Sequence, residues 1–376
     1  MNTESQVYRD LQKHLDKLPI GFPATESGVE IRILKHLFTP EEAKMATQLS
    51  MIPEPLKRIH KRVRRTGMSI EELGHLLEHM VDKGVILKSV KGEEKCYSNA
   101  MLAVGMFEFQ LERLTKDFTQ DMLQYLDEAF GKELNRTKIP QLRTIPIEKS
   151  IPQEYHISTY DDIREIVENV GGQIAVANCI CRQAKDVIGE SCTKTDLRET
   201  CLLFRDAAQQ FLNWGIARSI TKEETLDILN KAEEAGLVLQ PQNSQRPEFV
   251  CCCCGDCCGI LVSVKKFPHP AEFYASNYYS EVDAELCTGC EECIERCQLD
   301  ALTMVDNVAV VSLERCIGCG NCVPICVSNA IQLRKKEKES SPPKDMDALY
   351  ANIMSKKVGK WNMLKMGAKI LLRLRV

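Results

Sequence analysis

Residues 287–297 read CTGCEECIERC and residues 316–326 read CIGCGNCVPIC, with eighteen residues between them. Each run has the spacing C-x2-C-x2-C-x3-C. Two-residue gaps let a tight loop wrap three thiolates around one iron–sulfur cubane, and Gly289, Gly318 and Gly320 relieve the crowding of so tight a backbone. The fourth cysteine of such a run points away, to a second cluster. The spacing therefore assigns Cys287, Cys290, Cys293 and Cys326 to one [4Fe–4S] cluster, and Cys316, Cys319, Cys322 and Cys297 to another. Zinc and disulfides are the competing readings. Zinc sites rarely repeat four cysteines at these gaps twice, and a CxxCxxC loop is too tight for pairwise disulfides.

Residues 280–333 resemble the bacterial two-cluster ferredoxin domain. That family usually carries Pro directly after each fourth cysteine. Here Gln298 and Val327 stand there, and Pro324 lies inside the second run. The departure bears on loop geometry and reduction potential more than on ligation. Taken whole, the chain resembles multidomain ferredoxins of anaerobic bacteria and archaea, a likeness that implies iron–sulfur binding and little about substrate.

A chain of 376 residues suggests two or three domains. Apolar content of 44% and charged content of 27% are ordinary for a globular protein, and a net charge of −4 speaks against the whole molecule binding a polyanion. The nineteen cysteines are clustered, unlike those of a disulfide scaffold. The start MNTESQVYRD is polar, with no signal-peptide pattern, and no apolar run approaches a membrane span. These features place the thiols in a reducing cytoplasm with metal as their use, and so many clusters suggest an anaerobe.

Upstream, Thr39-Pro40-Glu41-Glu42 and Ser69-Ile70-Glu71-Glu72 are capping boxes that open helices, and a further helix is expected near Glu54–Arg65. Gly84 ends the second capped helix, and Val85–Ser89 with Lys95–Ser98 reads as a hairpin. This order resembles the winged helix-turn-helix. The helix that would enter DNA carries Glu71, Glu72, Glu78 and Asp82 against Lys83, which speaks against DNA. The preceding helix is basic, with Lys57, Arg58, Lys61, Arg62, Arg64 and Arg65, and suits an acidic partner or phosphate. Residues 100–131 read as one long helix with an apolar stripe, a core face or a homodimer seam. Three Ile-Pro steps within 137–158 read as an extended linker between domains.

The middle region, 159–279, holds Cys179, Cys181, Cys192 and Cys201, then Cys251, Cys252, Cys253, Cys254, Cys257 and Cys258. A strand at Ile174–Val176 leads into Cys179, and helices are expected over Arg198–Trp214 and from Thr221 to Gly236. Six thiols in eight residues would oxidise unless bound. Candidate ligands of a further centre are Cys179, Cys181, Cys192, Cys201, Cys251, Cys253, Cys254, Cys257 and Cys258. A third iron–sulfur cluster, a structural zinc and a redox dithiol compete for them. Arg182, following Cys181, reads either as a donor to a cluster sulfide or an anionic ligand or, more blandly, as a surface residue, and Cys96 reads as a buried thiol. Past the polar stretch 334–347, residues 348–376 lack acids, and Lys360, Lys365, Lys369 and Arg373 lie beside Trp361, Leu364, Ala368 and Leu371. That basic amphipathic helix suits its own core, an acidic partner or peripheral contact with an anionic membrane.

The expected architecture is α+β and multidomain. A winged-helix-like domain with its long helix covers 1–136, a Pro-rich linker 137–158, an α/β cysteine-rich domain 159–279, a two-cluster ferredoxin domain 280–333, and a linker with the basic helix 334–376. The expected function is electron transfer with redox partner proteins, as a carrier or oxidoreductase subunit rather than a stand-alone enzyme. The alternatives are a redox-sensing transcriptional regulator and a small iron–sulfur reductase. No Gly-rich nucleotide fingerprint, P-loop or Ser/His/Asp arrangement is present. Catalytic residues are not assigned by the sequence.

Overall fold

Short polar motifs set the first helices. The computed structural model describes residues 3–152 and 157–371. The chain divides into one unit of Met1–Arg136 with Ala351–Val376 and a second of Thr137–Tyr350. In the first unit, helix α1 spans Thr3–Leu15 and α2 spans Val29–Leu37, burying Val29, Ile33, Leu34 and Leu37 along one face. At Thr39 the side chain accepts from the Glu42 amide, and the Glu42 carboxylate accepts from the Thr39 amide, opening α3 (Pro40–Ala46). A strand β1 (Glu54–Pro55), absent from the sequence reading, leads into α4 (Leu56–Val63). The Ser69–Glu72 box opens α5 (Ile70–Asp82), and the chain turns at Gly84, whose φ is +69°. Strands β2 (Ile86–Lys91) and β3 (Glu94–Asn99) form the hairpin, in an antiparallel sheet of order β1-β3-β2. Cys96 is buried in β3.

Charge in this unit is largely spent internally. Glu54 accepts from Arg62 Nη2 with both oxygens at 2.8 Å and pairs with Arg58 at 3.0 Å, so two cations of α4 are neutralised. Glu78 on α5 accepts from Lys88, Lys95 and Tyr97 Oη, each at 2.8 Å, clamping the helix to the hairpin. Burial alone would raise Glu78, but these three donors hold its carboxyl down at about 2. Its stabilisation is therefore complete above the ordinary carboxylate range and is lost as pH falls from about 4.5 toward about 2. Glu78→Gln should speed hydrogen exchange of the β3 amides at pH 7 by about fivefold, from a loss of about 1 kcal/mol after solvent screening. Wild-type exchange should approach that of the variant only across the acid window.

The single helix expected over 100–131 is not formed. Ala103, Val104 and Gly105 have non-helical backbone, and Glu108–Arg113 is 3-10. Thr115 accepts from the Phe118 amide and starts α6 (Lys116–Tyr125), which continues through a wider turn into α7 (Gly131–Leu134). The apolar periodicity was real; the Thr cap at 115 resets the helix.

The second unit begins with the Ile-Pro stretch, which is no free linker. Leu142, Ile145 and Ile147 are buried, and Leu142 and Ile145 bridge to Gln242 and Leu239. Buried Arg143 pairs with Asp161, which also accepts from Asn277 Nδ2 at 2.7 Å. Residues 153–156 lie outside the described residues. Helix α8 (Ile163–Glu168) precedes strand β4 (Ile174–Asn178) and helix α9 (Ile180–Val187). Next come β5 (Glu199–Phe204), α10 (Arg205–Asn213), β6 (Arg218–Ser219) and α11 (Lys222–Glu234), the last capped by Thr221. Strands β7 (Val238–Pro241) and β8 (Phe249–Cys253) and helix α12 (Gly259–Lys265) complete this region. The helix expected over 198–214 is thus half strand. Thr200, Leu202, Leu203 and Phe204 are buried between β4 and β8, and that pairing overrides local helical preference. The five strands lie in the order β6-β4-β5-β8-β7, every pair antiparallel, so this region is α+β rather than α/β.

Residues 278–335 add two small antiparallel ladders. Strand β9 (Tyr278–Val282) pairs with the last strand of the region, Ile331–Lys335. Between them lie α13 (Glu292–Arg296) and the hairpin of β10 (Leu302–Val305) and β11 (Val308–Val311); the Ile331–Lys335 strand is β12. Asp306 and Asn307 turn that hairpin with positive φ.

At the C-terminal end, Gly359 (φ +81°) breaks the one expected helix into α14 (Met346–Val358) and α15 (Lys360–Leu371). Lys357 is buried on Glu133 Oε1 at 2.7 Å and on the carbonyls of Asp16 and Leu18 at 2.9 Å. Trp361 and Leu364 are exposed. Arg373, and the side chains of Lys360, Ala368, Lys369 and Leu371, lie outside the described residues. Among the described residues no helix is long and apolar enough to cross a membrane.

Candidate metal centres

The two cysteine runs fold around two cavities. One has about 330 Å³ of space and is lined by Cys287, Cys290, Cys293 and Cys326. The other has about 400 Å³ and is lined by Cys297, Cys316, Cys319 and Cys322. Each wall thus takes three cysteines from one run and the fourth from the other. The thiols of both cavities meet in one apolar cluster with Leu302, Ala309 and Ile331. Cys290 is exposed, so the first cavity is the outer one.

Backbone amides are aimed at sulfur. Ala309 N donates to Cys287 Sγ at 3.4 Å, Ala301 N to Cys297 Sγ at 3.2 Å, and Ser280 N to Cys316 Sγ at 3.4 Å. Ser280 Oγ lies 3.2 Å from Cys322 Sγ. Such donors favour the more negative state of whatever the thiolates hold. Burial pushes the Cys293 thiol up to about 11 and the Cys322 thiol up to about 12, so both call for a cation to become good ligands. The close-packed loops leave room only for glycine: Gly318 has φ +68°, and a β-carbon there would strike the Tyr278 carbonyl.

Gln298, where the ferredoxin pattern has Pro, has a structural task. Its side chain accepts from the Gly255 amide at 2.7 Å and donates to the Gly236 carbonyl at 3.0 Å. Its own carbonyl sits where a β-carbon of residue 255 would go. Gln298 therefore ties the segment after Cys297 to the CCCCGDCC run, a role that the missing proline hinted at and the sequence alone did not define.

The ten middle cysteines do not converge on one point. Strand β8 alternates its side chains. Cys252 faces the core formed with Val176, Leu202 and Leu239, while Cys251 and Cys253 face the cluster of Val238, Leu261 and Ile317. Beyond the strand, Cys254 and Cys257 join the Cys252 side. There Cys192, Cys254, Asp256 and Cys257 offer donor atoms all within 4.8 Å of one another. Cys192 Sγ is 3.7 Å from Cys254 Sγ, and Asp256 accepts from the Thr193 amide at 2.8 Å. Asp256 was not a sequence candidate; its place inside a cysteine run was the available signal. Hydrogen bonding from Cys257, opposed by burial and helped by Arg182, draws the Cys254 thiol down to about 6.

On the other side, thiol contacts run from Cys179 to Cys181, to Cys258, to Cys253, to Cys251, to Cys201. Cys201 and Cys251 are direct cross-strand partners. Arg182 is not on the surface. It is fully buried, donating to Thr200 Oγ1 at 2.6 Å, the Cys252 carbonyl at 2.7 Å and the Leu197 carbonyl at 3.2 Å.

Comparison with known proteins agrees with the cavities. The family model of the 4Fe-4S dicluster domain matches residues 280–327. No curated protein and no solved structure matches the chain. The chain thus carries a ferredoxin-type iron–sulfur domain, with a mixed helix-and-sheet fold before it.

Proposed function

We propose that this chain is an iron–sulfur electron-transfer protein with two [4Fe–4S] clusters in its ferredoxin-type domain and a further metal centre in its cysteine-rich region. The observation that carries this reading is the pair of cavities, each walled by four cysteines drawn from both runs. Cys287, Cys290, Cys293 and Cys326 would hold the outer cluster, and Cys297, Cys316, Cys319 and Cys322 the inner. When bound, such clusters supply one-electron transfer at low potential. The chain positions both ends of a route. Around the outer cavity, Asp283, Glu285, Glu291 and Glu292 are exposed with Leu286 and Val327, a rim suited to a basic redox partner. On the inner side, Cys319 packs against the apolar cluster that contains Cys253 and Cys258, so electrons would pass inward to the middle thiols. The helix and hairpin order of the N-terminal unit suits a winged helix used for protein contact, since Glu71, Glu72 and Asp82 keep α5 acidic.

The test is reduced-state EPR on anaerobically purified protein, with Cys290→Ser and Cys319→Ser. Two adjacent reduced clusters give a spin-coupled signal. Each variant should replace it with the simple signal of one isolated cluster and lose up to about four irons per chain. A coupled signal that survives either substitution would refute the ligand assignment, and absence of any low-potential signal in the wild type would refute the electron-transfer reading.

A further inference from the structure

We propose that Cys179, Cys181, Cys201, Cys251, Cys253 and Cys258 form a multinuclear iron–sulfur centre of their own, separate from the site at Cys192, Cys254, Asp256 and Cys257. The first ground is number. Six sulfurs in one unbroken chain of contacts exceed the four that a tetrahedral zinc or a cubane takes from protein, so more than one metal ion with shared thiolates fits them better. The second is separation. Cys252 points to the opposite face of β8 from Cys251 and Cys253, and the Cys192 group gathers on its side with Cys254 and Cys257. Two donor sets on two sides of one strand serve two centres.

The third ground is charge. Arg182 is buried, its Nε has no hydrogen-bond partner, and among the described residues no carboxylate pairs with it. A guanidinium stays charged at any ordinary pH, and an unpaired buried cation is costly. The groups it faces are Cys179, Cys253 and Cys254. Metal-bound thiolates of either donor set would lie beside it and balance its charge. Arg182 thus sits between the two donor sets as their common counter-ion.

The fourth ground decides the class of metal. Cys253 and Cys258 share an apolar cluster with Leu299 and Ile317, and Cys251 and Cys319 pack against the same cluster. Gln298 and Gly255 fasten the two regions together at 2.7 Å. A redox-inert zinc has no use for so close a neighbour in an electron-transfer domain, whereas an iron–sulfur centre does. This step rests on the reading of residues 280–327 as iron–sulfur; the ligation argument does not.

The experiment is iron, acid-labile sulfide and zinc per chain on the full-length protein purified without oxygen, with Mössbauer spectra of iron-57 material. Wild type should carry more than the about eight irons of two cubanes, with sulfide to match. Cys251→Ser/Cys253→Ser should lose that excess while the spin-coupled signal of the two ferredoxin clusters persists. Cys192→Ser/Cys257→Ser should keep it. About eight irons in wild type, or zinc alone in the excess, overturns the proposal even if no variant folds. Loss of the excess iron from the Cys192/Cys257 variant instead overturns the division into two centres. Loss of the ferredoxin signal in wild type strikes the electron-transfer reading and leaves the excess-iron count to judge this one.

Discussion

Gly318→Ala is expected to abolish the inner cluster while the outer one survives. Two effects act together. Residue 318 has φ +68°, a left-handed conformation that costs a non-glycine residue about 1–2 kcal/mol. The added carbon would also strike the Tyr278 carbonyl and come 2.7 Å from Ser276 Oγ. Tyr278 cannot withdraw, because it is paired in register with Lys335 and its side chain is buried. The loop must therefore move, and Cys316 and Cys319 flank residue 318 on either side. Displacement of these thiols by even a fraction of an ångström breaks cluster geometry. The total should exceed about 4 kcal/mol, in the range reserved for gross steric conflict. The readout is a fall of about four irons per chain with an isolated-cluster EPR signal in place of the coupled one. Gly289→Ala is the matched control. Its φ is +70°, but the added carbon meets the Asn307 carboxamide, the movable end of a side chain. It should cost the outer cluster far less. A Gly318→Ala protein with full iron and a coupled signal would mean that the inner loop does not hold a cluster as argued.

The contrast between these glycines shows what was legible. The spacing within each run is local, so the gaps of two and three residues carry the cavity geometry directly in the sequence. Capping boxes at Thr39 and Ser69 are equally local, and the helices begin where those motifs place them. What failed was non-local. The run from Glu199 to Phe204 becomes a strand only because β4 and β8 lie on either side of it. The Ile-Pro stretch looked like a strap because prolines forbid a regular ladder, yet Ile145 and Ile147 are fully buried. The partition of the middle cysteines also needs three dimensions. Cys251, Cys252 and Cys253 are consecutive in sequence, and only the pleat of a strand sends the middle one to another side. Gln298 and Gly255 are forty-three residues apart, so neither announces the other.

Arg182 is the sharpest case, because the sequence left it open between a surface residue and a donor to a metal centre, and its complete burial removes the first. Arg182→Met is expected to act with opposite sign in the metal-loaded and the metal-free protein. Met roughly matches the aliphatic stem and removes the charge. In the loaded protein the thiolates and their metal are anionic, and removing the buried counter-ion should cost about 3–5 kcal/mol. In protein stripped of metal under reducing conditions, at a pH well below the value of about 6 to which the Cys254 thiol is drawn, the thiols regain protons, and the guanidinium is then the uncompensated charge. Replacing it there should be neutral or stabilising by about 1–4 kcal/mol, less the loss of its bonds to Thr200 and the Leu197 and Cys252 carbonyls. A merely structural arginine, valued for those three bonds, would destabilise both forms alike. Hydrogen exchange of the β4, β5 and β8 amides, compared between the two forms of wild type and variant, separates the cases. Equal destabilisation with and without metal would show that Arg182 is not the counter-ion of a metal centre. A reversal of sign would place negative charge beside it only when metal is bound, which neutral thiols cannot supply.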